Sequence, residues 1–222
     1  MSRLSVLLLN QVLGGISATD WLAMRRGILK TIWDEGVVPT TRDAPDSIRP
    51  SNYSGVSWLV WDITRRADHP MNATGWYHPI QVGKRSRSAI VLHEGHGNSV
   101  SVAQNLSDWV HGTLALDYLY LWMPLYGPNR QHGYPPHHSF FAKWQAEGDK
   151  TIRYFVEPTA LAINYLLALG YESVFISGLS GGGWCTTLYA SLDPRVPVSL
   201  PLAGSLPWYL FSDHQVGDYE QV

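Results

Sequence analysis

Gly178-Leu179-Ser180-Gly181-Gly182 sets a serine between glycines at the spacing G-x-S-x-G. A serine hydroxyl is a weak nucleophile unless it is presented sharply and the anion that its attack creates is stabilised. The spacing offers both. The run before it, Ser173 to Ser177, is β-branched and aromatic, and the segment after it, with Trp184, Leu188 and Tyr189, suits a helix. Strand, sharp turn and helix are the expected order. So tight a bend calls for flanking residues without a Cβ, which Gly178 and Gly182 supply. The helix that follows aims its free N–H groups and its positive dipole end at the hydroxyl, where an oxyanion would form. Ser180 is the candidate nucleophile.

The flanks fix where this turn sits. A helical stretch from about Asp149 to Leu169, closed by Gly170, precedes it, and Val196 to Ala203 follows as another buried strand. Helix, strand, turn, helix and strand in succession make a parallel βαβ pattern. A Gly-rich turn in some other α/β protein would read the same way. Further upstream, Ser88 to His93 is apolar enough to be buried on both faces, as central parallel strands are. It runs directly into Glu94-Gly95-His96-Gly97-Asn98.

With these residues the chain resembles the α/β-hydrolase superfamily of serine esterases, lipases and peptidases. The resemblance rests on Gly178 to Gly182 and, less specifically, on the loop near His93, and it covers about residue 57 to the end. It implies an α/β fold: an α/β-hydrolase-like, mostly parallel sheet flanked by helices, incomplete at its C-terminal end. Residues 1–56 would form an N-terminal helix and connecting arm, and 57–222 a partial core. The resemblance also implies an oxyanion hole in which Gly181 gives one N–H and the loop after the third strand the other. Glu94 stands between His93 and Gly95, so both Gly95 and His96 are candidates for that second N–H.

A serine nucleophile needs a base and usually an acid to orient it, and in this superfamily they follow the serine as acid, then histidine. His214 is the one histidine after Ser180. Its neighbour Asp213 is poorly placed to orient it, because adjacent side chains rarely line up. Asp218 and Glu220 lie beyond where an acid after this strand would fall. The expectation is therefore an esterase-type serine hydrolase fragment acting on a small-molecule ester, its acid and base beyond residue 222, or else a non-catalytic binding or structural remnant of the fold.

The remaining elements are read from periodicity. Thr19-Asp20 caps a helix to about Glu35, with Trp21, Met24, Ile28 and Ile32 on one stripe. Pro39 to Tyr53 reads as a connecting arm. Trp58 to Thr64 and Thr74 to Gln81 read as strands, with Gly83 to Arg87 as a hairpin turn into Ser88. A helix to about His111 turns Val102, Leu106, Trp109 and Val110 inward, and Leu116 to Leu125 is the next strand. Arg130 to Trp144, aromatic and rich in histidine, follows a strand's C-terminal end and is a candidate pocket wall or lid, or equally an ordered surface loop.

Composition narrows the partners. A formal net charge of -2 over 222 residues argues against nucleic acid. Ten Trp and twelve Tyr suit a cleft for apolar or sugar-like ligands, or simply core packing. Cys185 stands alone, so no internal disulfide forms and the compartment stays open. Met1 to Leu13 is weakly signal-like, leaving both cytoplasmic and secreted locations in view. No membrane span, no cofactor and no metal are expected. His93 and His96 are only three apart and lack H-E-x-x-H spacing, while His132, His137, His138 and Cys185 add ligand types without a recognised spacing. Oligomeric state leaves no mark in the sequence.

Overall fold

The structure, a computed structural model, describes residues 17–79, 87–97, 100–135, 137–204 and 218–221. In chain order these form α1 (Ala18–Ile32), β1 (Ser47–Pro50), β2 (Ser57–Asp62), β3 (Asn72–His78), β4 (Ser88–His93), α2 (Val100–Trp109), β5 (Asp117–Leu121), α3 (Phe141–Ala146), α4 (Ile152–Ala168), β6 (Ser173–Leu179), α5 (Gly181–Leu192) and β7 (Ser199–Leu202). Short turns of tighter or wider helix occupy Val110–Leu114, Gly127–Asn129, His138–Phe140 and Tyr219–Gln221. Two compact units divide at Val38 and Pro39. The first contains α1, which starts at a capping box: Ser17 Oγ accepts from Asp20 N, and Asp20 Oδ2 accepts from Ser17 N. The cap is thus Ser17 rather than Thr19-Asp20.

The second unit is built on a seven-stranded sheet in the order β1-β2-β3-β5-β4-β6-β7. The β1/β2, β2/β3 and β3/β5 pairs are antiparallel; β5, β4, β6 and β7 run parallel, so five of the seven strands point one way. β4 sits between β5 and β6, and its alternation buries both faces. Ile90 and Leu92 join Val56, Trp76, Val110, Tyr118, Tyr120 and Trp122 in one cluster. Ala89 and Val91, also buried, turn to the other face, where α4 and α5 pack on β4 and β6. Burying each large side chain of this kind contributes roughly 1.5–3 kcal/mol, which anchors the central strands. Among the described residues no helix is long and apolar enough to cross a membrane.

Three sequence expectations change. β3 and β4 do not form a hairpin, because β5 lies between them and pairs with both; residues 83–86 of the expected turn lie outside the described residues. A strand, β1, lies within the stretch read as a connecting arm, its backbone laddered to β2. Trp109 is 54% exposed rather than inward, whereas Val110, where a wider helical turn begins, is buried as expected.

The end of α5 is tied to α4 by a buried carboxylate. Asp193 accepts from the Tyr189 hydroxyl at 2.6 Å, from Arg195 N at 2.9 Å and from the Arg195 guanidinium at 2.7 Å, and Arg195 in turn donates to Asn164 of α4. Burial alone would raise the Asp193 pKa, but the Arg195 and Tyr189 hydrogen bonds outweigh it and hold the value below the ordinary one. A carboxyl depressed in the folded state contributes stability above its unfolded pKa, and that contribution is lost as pH falls through the folded one. Asp193→Asn is expected to cost about 2 kcal/mol at pH 7, below the usual penalty for breaking a buried pair because Arg195 is partly exposed. Urea unfolding at pH 7 and pH 3 checks it: the gap between wild type and variant should narrow at the lower pH, which lies below the ordinary carboxyl value.

Candidate functional site

Ser180 occupies the junction of β6 and α5 with φ 55° and ψ -122°, a region that non-glycine residues rarely adopt. Such strain costs on the order of 1–3 kcal/mol and persists only where surrounding bonds over-determine the backbone. Here Ser180 N donates to Leu202 O of β7 at 2.9 Å, and Trp184 N donates to Ser180 O at 3.0 Å. The turn is therefore pinned on both sides.

The glycines serve a purpose slightly different from the one the bend suggests. Neither Gly178 nor Gly182 has a positive φ; what each lacks is room. A Cβ on Gly178 would overlap the Gly182 carbonyl, and one on Gly182 would overlap the His93 carbonyl. The first turn of α5 thus lies directly on the end of β4. Gly95 completes the contact: a Cβ there would come within 2.8 Å of both Ser180 Cβ and Leu179 O, and 3.4 Å from Gly181 N. The structure brings Ser180, Gly181 and the Gly95-His96 loop together at one end of the parallel strands, the edge where open α/β sheets bind ligands.

Glu94, the inserted residue, braces that loop. Its buried carboxylate accepts from the Tyr120 hydroxyl through Oε2 and from Gly95 N through Oε1 at 3.2 Å. Burial and this carboxylate both push the Tyr120 pKa up, so the phenol keeps its proton. His93, also buried, donates from Nδ1 to the Glu94 carbonyl at 2.9 Å, and burial pushes its pKa down to about 4. His93 is a neutral packing histidine and does not join His96 in a ligand set.

The ring of His96 instead meets residues that spacing gave no reason to connect. His96 Nε2 lies 3.2 Å from His138 Nδ1, 3.0 Å from Asp218 Oδ2 and 3.3 Å from Glu220 Oε1. His138 Nδ1 lies 2.9 Å from Glu220 Oε2 and 3.3 Å from Asp218 Oδ2, and its Nε2–H donates to the Pro124 carbonyl at 2.9 Å. His138 and Glu220 side chains are wholly buried. Hydrogen bonding to Glu220 raises the His96 pKa against the opposing effect of burial. Burial would raise Glu220, but its bonds to His138 and His96 prevail and hold it at about 2.

This cluster adjoins the turn. A Cβ on Gly181 would approach Met123 Cε at 2.8 Å, His96 Cε1 at 2.9 Å and Glu220 Oε1 at 3.2 Å. Met123 and Pro124 belong to the segment after β5, which Asn129 fixes by donating to the carbonyls of Trp122 and Met123 and accepting from Thr74 N. His138 comes from the aromatic loop expected to wall the site. Asp218 and Glu220, set aside on position in the chain, return to the same place, whereas Asp213 and His214 lie outside the described residues. Cys185 is buried packing: its thiol donates to the Phe155 carbonyl, and burial pushes its pKa up to about 12.

A cavity of about 650 Å³ opens elsewhere along the sheet, lined by Arg49, Trp58, Thr74, Val100, Pro128 and Arg130 among others. Arg130, at the start of the aromatic loop, is its link to the expected pocket wall. None of its lining residues belongs to the Ser180 turn.

No family model matches the chain, and no curated protein matches it in sequence. Its backbone does match solved structures. Acetyl xylan esterase 1 from Thermoanaerobacterium sp. is 13% identical with a TM-score of 0.54, over 82% of this chain and 57% of its own. A Bacteroides fragilis protein provisionally described as an acetyl xylan esterase is 12% identical with a TM-score of 0.52, over 82% of this chain and 53% of its own. The chain spans just over half the length of these structures, and at such identities the likeness is one of fold.

Proposed function

Starting from the α/β-hydrolase fold of this chain, we propose that it is a serine hydrolase that cleaves a carboxylic ester through an acyl-enzyme on Ser180. The observation that carries the reading is the strained backbone of Ser180 at the start of α5, pressed against the Gly95-His96 loop. Strain of this kind is kept where it presents a group for chemistry.

Ser180 Oγ attacks the acyl carbon while its proton passes to a histidine, which the chain order of this fold sets after β7. The former carbonyl oxygen takes the negative charge. Gly181 N–H, orphaned at the helix start, is one donor to it. His96 N–H is the other, because Gly95 N–H is already given to the Glu94 carboxylate. The alcohol leaves with the proton, and water then releases the acid and frees Ser180. The two solved structures described as acetyl xylan esterases make p-nitrophenyl acetate the first substrate to try.

The test is covalent. A fluorophosphonate should phosphonylate Ser180, with loss of fluoride, and mass spectrometry should find the adduct on the tryptic peptide that ends at Arg195. Labelling that spares Ser180, or none at all, would overturn the nucleophile and leave the non-catalytic remnant as the better account.

A further inference from the structure

We propose that His96 Nε2, His138 Nδ1, Asp218 and Glu220 form a binding site for one divalent transition-metal ion of the zinc class. The four donor atoms lie within 4.8 Å of one another. His96 Nε2, His138 Nδ1 and Asp218 Oδ2 stand 3.0 to 3.3 Å from one another, the edges of one face of a small coordination polyhedron, and Glu220 reaches His138 through Oε2 at 2.9 Å and His96 through Oε1 at 3.3 Å. Four ligands at metal bonds of about 2.0–2.1 Å around a tetrahedral ion stand roughly 3.3 Å apart.

The proton inventory points the same way. His138 Nε2–H is committed to the Pro124 carbonyl, so a neutral His138 turns the lone pair of Nδ1 toward the two carboxylates and the other imidazole. A ring nitrogen whose partner N–H is fixed by a backbone carbonyl is the usual state of a metal-bound histidine. Lone pairs facing lone pairs repel unless something positive lies between them. Glu220 Oε1, buried and directed into the cluster, has the His96 ring nitrogen 3.3 Å away but no well-aligned hydrogen bond among the described residues. Among the same residues no lysine or arginine pairs with Asp218 or Glu220. The two carboxylates together carry a charge of about -2, which a divalent cation cancels, and burying charge without such compensation is costly. On the other side, Asp218 Oδ1 accepts from Tyr219 N at 2.7 Å, orienting the carboxylate that faces the site. Nitrogen and carboxylate donors together suit zinc, cobalt or nickel better than calcium or magnesium, which prefer oxygen alone.

The site does not rest on the ester-hydrolysis reading, and its test needs no turnover. The full chain, prepared without a polyhistidine tag and stripped with chelator, is titrated with Co²⁺ and then Zn²⁺. One equivalent of Co²⁺ should bind with the intense visible absorption of a four-coordinate ion, and Zn²⁺ should displace it and raise the unfolding temperature. Ser180→Ala should bind the same. His96→Asn, at a partly exposed position, and Glu220→Gln should each weaken binding at least tenfold. Absence of stoichiometric binding, the pale spectrum of six-coordinate Co²⁺, or full affinity in both variants would overturn the site. If Glu220→Gln does not fold, His96→Asn alone decides.

Discussion

Ser180→Ala is expected to lower kcat of the full-length protein on p-nitrophenyl acetate by about four to six orders of magnitude, the usual consequence of removing the nucleophile of a hydroxyl-base unit. The same change should leave urea unfolding almost unmoved. Alanine keeps a Cβ and therefore keeps the unfavourable φ of 55°. Ser180→Gly separates the two effects: it should be equally inactive but more stable, by about 1–2 kcal/mol, because glycine adopts this backbone without strain. Activity and stability traded at one residue in this direction would identify the turn as a built presenting device. A Ser180→Ala protein that hydrolyses at the wild-type rate would remove Ser180 from the chemistry.

The largest loss of stability should come from Gly182→Ala. One methyl group there has to share space with the His93 carbonyl at the end of β4, and both are backbone, so neither moves without shifting a strand or a helix. A cost of about 4 kcal/mol or more is expected, at the extreme end for single substitutions. The protein should be recovered unfolded or aggregated, or with a urea midpoint far below wild type. Gly112→Ala is the control, since a Cβ there meets nothing within 4 Å; its effect should stay within about 1 kcal/mol. If Gly182→Ala unfolds like wild type, the close packing of α5 on β4 is not what holds the turn.

How far the sequence could be read depends on how local each signal is. β6, the Ser180 turn and α5 are legible because one stretch of chain holds all their determinants. β4 is legible because both its faces are apolar, and the end of α4 because Gly170, at φ 91°, stops it. β1 was not: three of its four residues, Ile48, Arg49 and Pro50, are exposed, and its backbone pairs with β2 without an apolar alternation to mark it. Nor was the placement of β5 between β3 and β4, which is decided by packing between distant segments. The role of Glu94 hid for the same reason, since its partner Tyr120 is on another strand. His138, Asp218 and Glu220 meet His96 from loops that share no spacing, and chain order alone argued against the two acids.

The parallel register of β4 with β6 places Ser88 opposite Ser173 and His93 opposite Gly178, joining segments separated by a third of the chain. Pairing of such high contact order is slow to form, because the intervening loop must close before any contact offsets its entropy. The backbone at Ser180 and the loop at Gly95 each lean on the other, so neither half of the site exists before β4 and β6 have docked. The packed form of the Ser180 turn therefore appears only after this docking, and its appearance during refolding is a clock for long-range docking rather than for helix formation.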